Sequence, residues 1–182
     1  MKALLFALLL CAGLVQAKEW RVDPAASMLG FRGTAQGESF DGRFKQFEAT
    51  IRFDPADLAG SRFEVRIATA SADTANAERD ETLLGGEFFD SAAQPTASYV
   101  AERFETAGPG HFRALGQLTL RGITKPVTLD FEWKSRAEGA ELIGSATLDR
   151  LDFNIGTGDW ADPDMIGRKV DVSTRLQLAP AK

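Results

Sequence analysis

One histidine, one cysteine and a crowd of aspartates have the most obvious chemical reach in this chain. His111 could act as a general base or a metal ligand, but it follows Gly108-Pro109-Gly110 and so belongs to a turn or a strand start. With no second histidine, a His-rich metal site is excluded, and a Ser-His-Asp triad would have to be built around that one turn residue. The single cysteine, Cys11, lies in an amino-terminal stretch read below as removed. Disulfides, thiolate nucleophiles and cysteine metal sites go with it. No G-x-S-x-G elbow, H-E-x-x-H pair or P-loop is present. Carboxylates could still act as general acid and base, and Asp149, Asp152, Asp159, Asp162 and Asp164 crowd one region. The sixth position counted from Asp159 is Asp164, where a calcium loop needs glycine. These residues read as a solvated acidic loop. The chain therefore reads as no enzyme, with no catalytic residue, no metal and no cofactor.

The amino terminus has the make-up of a secretory signal: Lys2, the apolar Leu4 to Leu10, and Val15-Gln16-Ala17 as a small-residue cleavage site. The apolar run is shorter than the about 20 residues a membrane span needs, and Lys18-Glu19-Trp20-Arg21 follows at once. Leu10 stands where lipidation at Cys11 would want a small residue, which favours a cleaved, soluble product over an acylated one. Residues 1–17 are thus expected to be a signal peptide and 18–182 one domain, exported to the periplasm. The chain has 182 residues and a net charge of −5, one unit more negative once Lys2 is lost. No basic block stands out, so nucleic acid and anionic membrane surfaces are not expected partners.

The elements are strands. In Arg62-Phe63-Glu64-Val65-Arg66-Ile67, apolar and charged residues alternate, as on a strand with one buried face. Val127, Leu129, Phe131 and Trp133 repeat the pattern, and so do Val170, Val172, Leu176 and Leu178, with polar Thr174 interrupting the apolar face. Weaker versions lie at 27–36, 43–53, 97–105, 111–121 and 141–156. Asp54-Pro55, Gly108-Pro109-Gly110, Lys125-Pro126 and Glu138-Gly139 punctuate them as turn sites, and Gly116, Gly122 and Pro126 read as turn or bend positions. Residues 71–95 break the alternation and predict one short helix, capped by Asp73 or Thr74 and ended by Gly85-Gly86. About eight antiparallel strands with one long connection predict an all-β fold, a closed barrel, with a β-sandwich as the alternative. Thirteen Phe and three Trp suit an aromatic-walled cavity and a filled core equally.

As an ordered series, the motifs resemble the YceI family of secreted, lipocalin-like proteins. Trp20 to Phe31 reads W-R-V-D-P-x-x-S-x-L-x-F, followed by G-R-F at Gly42, A-S-A-D-T at Ala70, R-D at Arg79-Asp80, E-F-F-D at Glu87 and Pro95. Gly116 to Val127 then gives G-Q-L-T-L-R-G-I-T-K-P-V, before D-R-L-D-F-N-I-G at Asp149 and V-D-V at Val170. The lipocalin G-x-W near the first strand is missing, and Gly156 to Met165 looks specific to a subgroup. The resemblance implies an eight-stranded antiparallel lipocalin-like β-barrel, closed at one end by a short helical segment. It also implies a carrier that sequesters a long apolar lipid, such as a polyisoprenoid or isoprenoid quinone. The alternatives are an accessory module for a membrane cytochrome of the b561 type and an enzyme acting on the bound lipid. Expected partners are the long-chain small molecule, that cytochrome and a second copy in a homodimer. The expected channel wall comprises Phe31, Phe44, Phe53, Phe63, Val65, Ile67, Leu118, Leu120, Leu129, Phe131, Trp133, Phe153 and Ile155. Ser71, Asp73, Arg79 and Arg150 have two readings: contacts to a lipid head group, or structural roles as helix caps (Ser71, Asp73) and rim salt bridges (Arg79, Arg150).

Overall fold

A computed structural model describes residues 17–181; the expected signal peptide therefore lies outside the described residues except for Ala17. The strands are β1 (Glu19–Val22), β2 (Met28–Ala35), β3 (Glu38–Phe44), β4 (Phe47–Arg52), β5 (Arg62–Ala68), β6 (Ala72–Asp73), β7 (Thr96–Gly108), β8 (His111–Leu120), β9 (Ile123–Arg136), β10 (Gly139–Asp149) and β11 (Lys169–Pro180). Among the described residues a single α-helix, α1 (Ala77–Leu84), lies between β6 and β7. The β1–β2 path is one strand broken at Pro24, which cannot donate to a ladder and instead opens a 3-10 turn over Pro24–Ala26. Similarly, β3 and β4 are one path broken at Lys45-Gln46. There the Ser71 carbonyl accepts from the Lys45 N–H (3.0 Å) and the Ser71 hydroxyl accepts from the Gln46 N–H (3.1 Å).

Counted by path, eight antiparallel strands run up and down in chain order and close on themselves. β11 pairs with β10 on one side and with β1 and β2 on the other (Trp20↔Pro180, Phe31↔Val172), while β1 and β2 pair in turn with β4 and β3. Closure leaves no long sheet edge exposed. In such a meander, alternate connections fall at the same end. The 53–61, 108–110 and 136–139 connections form the lower end; the 35–38 and 120–123 hairpins, the long 69–95 connection and the 150–168 connection form the upper one.

The strand periods at 62–67, 127–133 and 170–178 hold, with Thr174 facing inward and its hydroxyl donating to the Met28 carbonyl (3.0 Å). Several local expectations differ from the structure. The helix cap is Asn76, whose side chain accepts from the Arg79 N–H at 3.0 Å, and not Asp73 or Thr74. The 141–156 segment leaves the sheet at Asp149 and turns through a 3-10 segment to a left-handed Asn154. Pro126 is inside β9, opposite Gln117, rather than in a turn. Gly116 is inside β8, where a Cβ would come within 2.4 Å of the Tyr99 ring, so glycine is what lets that ring lie against the wall.

Candidate functional site

The barrel interior is divided by height. At the lower end Trp20, Phe53, Phe63, Phe104, Phe112, Phe131 and Trp133 pack with Ile51, Leu142, Leu176 and Leu178. Phe53 is fully buried and its ring centroid lies 4.8–5.9 Å from those of Phe63, Phe104, Phe112, Phe131 and Trp133. That geometry is a solid aromatic plug. Above it, inward-facing Val65, Val127, Leu129, Ala146, Leu148 and Val172 are only half-buried. An inward side chain with exposed surface must face empty space.

That space includes two neighbouring cavities. The deeper, about 140 Å³, is walled by Leu29, Phe47, Ala49, Phe63, Val65, Ile67, Ala97, Tyr99, Leu118, Val127 and Leu129, with Ile51, Leu142 and Leu176 of the plug as floor. Its one phenol, Tyr99, donates to the Ala114 carbonyl (2.9 Å), and burial pushes its pKa above the usual tyrosine range, so the ring stays protonated. The upper cavity, about 190 Å³, is lined by Phe31, Phe40, Phe88, Phe89, Phe153, Ile155 and Ile166, with Arg79, Thr82 and Leu83 contributed by α1. Phe44, Leu120, Leu148 and Val172 line both. Each cavity alone is smaller than the roughly 300–1,000 Å³ of ordinary ligand pockets; the four shared side chains form the boundary between them, and the two together follow one apolar path up the barrel.

Of the expected wall, Phe31, Phe44, Phe63, Val65, Ile67, Leu118, Leu120, Leu129, Phe153 and Ile155 line one cavity or the other. Phe53, Phe131 and Trp133 line neither: they point inward but at plug height, where rings from neighbouring strands fill the barrel. The wall also includes Leu29, Phe40, Phe47, Tyr99, Leu148 and Ile166, and Val172, whose alternation was read although it was not placed in the channel wall.

The YceI-like domain model matches residues 20–178. Protein YceI of Escherichia coli O157:H7 is 35% identical over 161 residues, spanning 82% of this chain and 83% of its own. The crystal structure of Burkholderia cenocepacia BcnA superposes with a TM-score of 0.83 at 28% identity, covering 87% of this chain and 99% of that one. The chain belongs to the YceI family. A polyisoprenoid binding domain from Saccharophagus degradans has the same fold, with a TM-score of 0.70 at 15% identity over 91% of this chain and all of its own.

Most of the polar YceI motif residues here build the upper end. Ser71 bridges the β3–β4 break and also donates to the Ala68 carbonyl (2.7 Å). Asp73 accepts from the Ala75 N–H (3.2 Å) and pairs with Arg43 (3.2 Å) and Lys45 (3.7 Å); these contacts hold its pKa below the usual carboxylate range. Asp80 accepts from both the N–H and the hydroxyl of Thr74. In the E-F-F-D block, Glu87 accepts from the Trp160 indole at 2.8 Å, while Phe88 and Phe89 face the upper cavity. Among the five aspartates, Asp149 pairs with Arg168 (2.6 Å) and caps the turn at Leu151; no three His, Cys, Asp or Glu converge among the described residues. His111 is exposed at the start of β8.

Arg150 is the exception to every expectation held for it. Among the described residues it forms no rim salt bridge, and no N–H remains for a head group. Its guanidinium is buried and donates to five main-chain carbonyls, those of Gly167 (3.1 Å), Ile155 (2.8 Å), Gly156, Trp160 (2.6 Å) and Ile166 (2.8 Å). Arginine has five N–H donors in a fixed fork, and here each has a carbonyl. The 153–167 segment is therefore wrapped round one side chain, forming a lid over the upper cavity. Ile166 ties it to the β2–β3 hairpin through the Ala35↔Ile166 bridge, and Trp160 ties it to Phe88 and Glu87. Arg150→Lys keeps the charge but supplies only three donors on a flexible stem. Amide hydrogen exchange across 154–167 should then speed up markedly while β7–β9 stay protected; equal protection in both proteins would mean that the lid does not depend on the guanidinium.

Proposed function

We propose that this YceI-family protein is a carrier that holds a long apolar chain in the channel above the aromatic plug. The observation that carries this is the set of inward-facing yet half-buried side chains, Val65, Val127, Leu129, Leu148 and Val172, around a deeper cavity whose Tyr99 and Thr174 hydroxyls are already hydrogen-bonded. A filled barrel would bury them as completely as it buries Phe53. Only an apolar, elongated guest recovers that surface without stranding a polar group. The fold shared with the polyisoprenoid binding domain of Saccharophagus degradans supports an isoprenoid as that guest. The amino-terminal pattern supports a periplasmic carrier. The guest faces a largely apolar wall among the described residues, which supports binding as the activity.

Titration of the purified protein with prenols of increasing length tests this. Each buried CH₂ contributes about 0.8 kcal/mol, so affinity should rise steeply with length at one guest per barrel until the two cavities are filled. Affinity independent of length, or no saturable binding, would contradict the proposal.

A further inference from the structure

The top of the channel is covered by α1 and by the lid that Arg150 gathers through five carbonyls. The side wall is weaker, along the seam between β9 and β10. Their ladder runs from Gly139↔Arg136 to Ser145↔Asp130 and stops, although both strands continue upward. β9 stays paired with β8 as far as Ile123, and β10 with β11 as far as Asp149. Among the described residues no hydrogen bond joins 123–129 to 146–149; Thr124 and Thr147 give their hydroxyls to Thr119 and Asp171 instead. Pro126 accounts for the break. The Trp133 N–H donates to the Gly110 carbonyl (2.8 Å), so odd-numbered residues of β9 bond to β8 and even-numbered ones aim their N–H groups at β10. At 126 that group is missing, as suits a strand edge.

What closes the seam is apolar side chains: Val127 and Leu129 on one side, Ala146 and Leu148 on the other, all half-buried and all lining the deep cavity. Leu129 leans across at the fork, over Gly144, where a Cβ would come within 3.1 Å of its Cδ1. At the top Arg121, on the β8–β9 turn, donates to the Asn154 and Gly86 carbonyls. A second break in the wall, between 22–29 and 44–49, is a window with ladders at both ends, Arg21↔Thr50 below and Gly30↔Arg43 above. The β9–β10 seam has a ladder at its lower end alone. We propose that the apolar guest enters and leaves the deep cavity sideways through this seam, with Asp130↔Ser145 as the hinge and Arg121 as the latch. Parting it breaks no backbone hydrogen bond between the two strands and exposes apolar side chains that the passing chain covers. Raising the lid must instead break the Gln36 and Gly167 N–H bonds to the Met165 and Thr34 carbonyls (both 2.9 Å). The proposal rests on the lipid-carrier reading and adds the route.

Linking Thr128→Cys to Thr147→Cys staples the seam from outside: both side chains are exposed, and the register carried past Asp130↔Ser145 sets them opposite each other. The one native cysteine, Cys11, lies in the expected signal peptide. A disulfide, or a short bismaleimide where the thiols stand too far apart, makes the link, and the unlinked double variant is the reference. A link outside the cavity alters the path and not the bound state, so association and dissociation of a prenol should both slow by at least about tenfold at unchanged Kd. The same link between Gln36→Cys and Met165→Cys, which ties down the lid, should leave both rates as they are in its unlinked form. Arg121→Asn, whose residue accepts the φ of 51° at that turn, should speed both rates. Rates unchanged by the seam link, rates slowed by the lid link, or an Arg121→Asn variant no faster than wild type would overturn the proposal. Absence of saturable prenol binding by the wild type would instead refute the lipid-carrier reading, so the two failures are distinct.

Discussion

Replacing Leu129 by Asp should abolish lipid loading while leaving the barrel folded. Leu129 faces the deep cavity from β9, half-buried, beside Val127 and across from Ala146 and Leu148 on β10. The β9–β10 ladder ends at Asp130↔Ser145, just below this level, while Leu129 stays paired with Ala114 of β8 and Ala146 with Val172 of β11. In the empty protein an aspartate at 129 can keep its hydration in the cavity. An arriving apolar chain would have to strip that hydration, at a cost of several kcal/mol for an unpaired carboxylate. Each 1.4 kcal/mol is a factor of ten in affinity, so loading should fall by more than about a hundredfold. Asp130→Asn is the control: Asp130 points outward and pairs with Arg113 at 3.3 Å, an exposed contact with little effect on the interior. Lipid per protein, measured after extraction, reads both variants. Wild-type loading in Leu129→Asp would mean that the deep cavity is not occupied.

Phe53→Ala should have the opposite profile, a large loss of stability with the channel wall untouched. Its ring is fully buried among five others, and truncation leaves a void that closed strands cannot collapse. Phe→Ala in such cores costs about 3–5 kcal/mol. Phe131→Ala belongs with it, because Phe131 stacks among Phe53, Phe63, Phe104 and Phe112. Denaturant unfolding decides the point. A cost below about 1 kcal/mol at both sites would mean that the plug is loosely packed and that the channel runs the length of the barrel.

The contrast between these two variants marks where sequence reading stops. Alternation assigned Leu129, Phe131 and Trp133 to the inward face of one strand, and all three do point inward. It carries no information on height along the barrel, and height is what makes Leu129 a wall and its two neighbours a plug. A signal for height was present in the connections. In an up-and-down meander alternate turns share an end, and Phe53, Phe63, Phe104, Phe112 and Trp133 all flank the 53–61, 108–110 and 136–139 connections. The pairing of β1 with β4 and β11 was missed because four residues are too few to show a period. Arg150 had no readable signal at all, since its five acceptors are carbonyls, which every residue has. Ser71 and Asp73 were read as head-group contacts or as helix caps because their types suit either role, whereas the broken β3–β4 path and the basic Arg43 and Lys45 claim them first. Arg79 was read as a head-group contact or a rim salt bridge; among the described residues it forms no salt bridge, and its stacking on Phe40 of β3 is a contact made by the fold.

The most direct test of the channel is native mass spectrometry of the full chain expressed in its own host and purified without detergent. The account predicts one apolar molecule per barrel, released by organic extraction, carrying a single long chain, and absent from Leu129→Asp purified in parallel. Protein that is uniformly guest-free, and that takes up no prenol or fatty acid when these are supplied, would contradict it and leave the half-buried interior without an occupant.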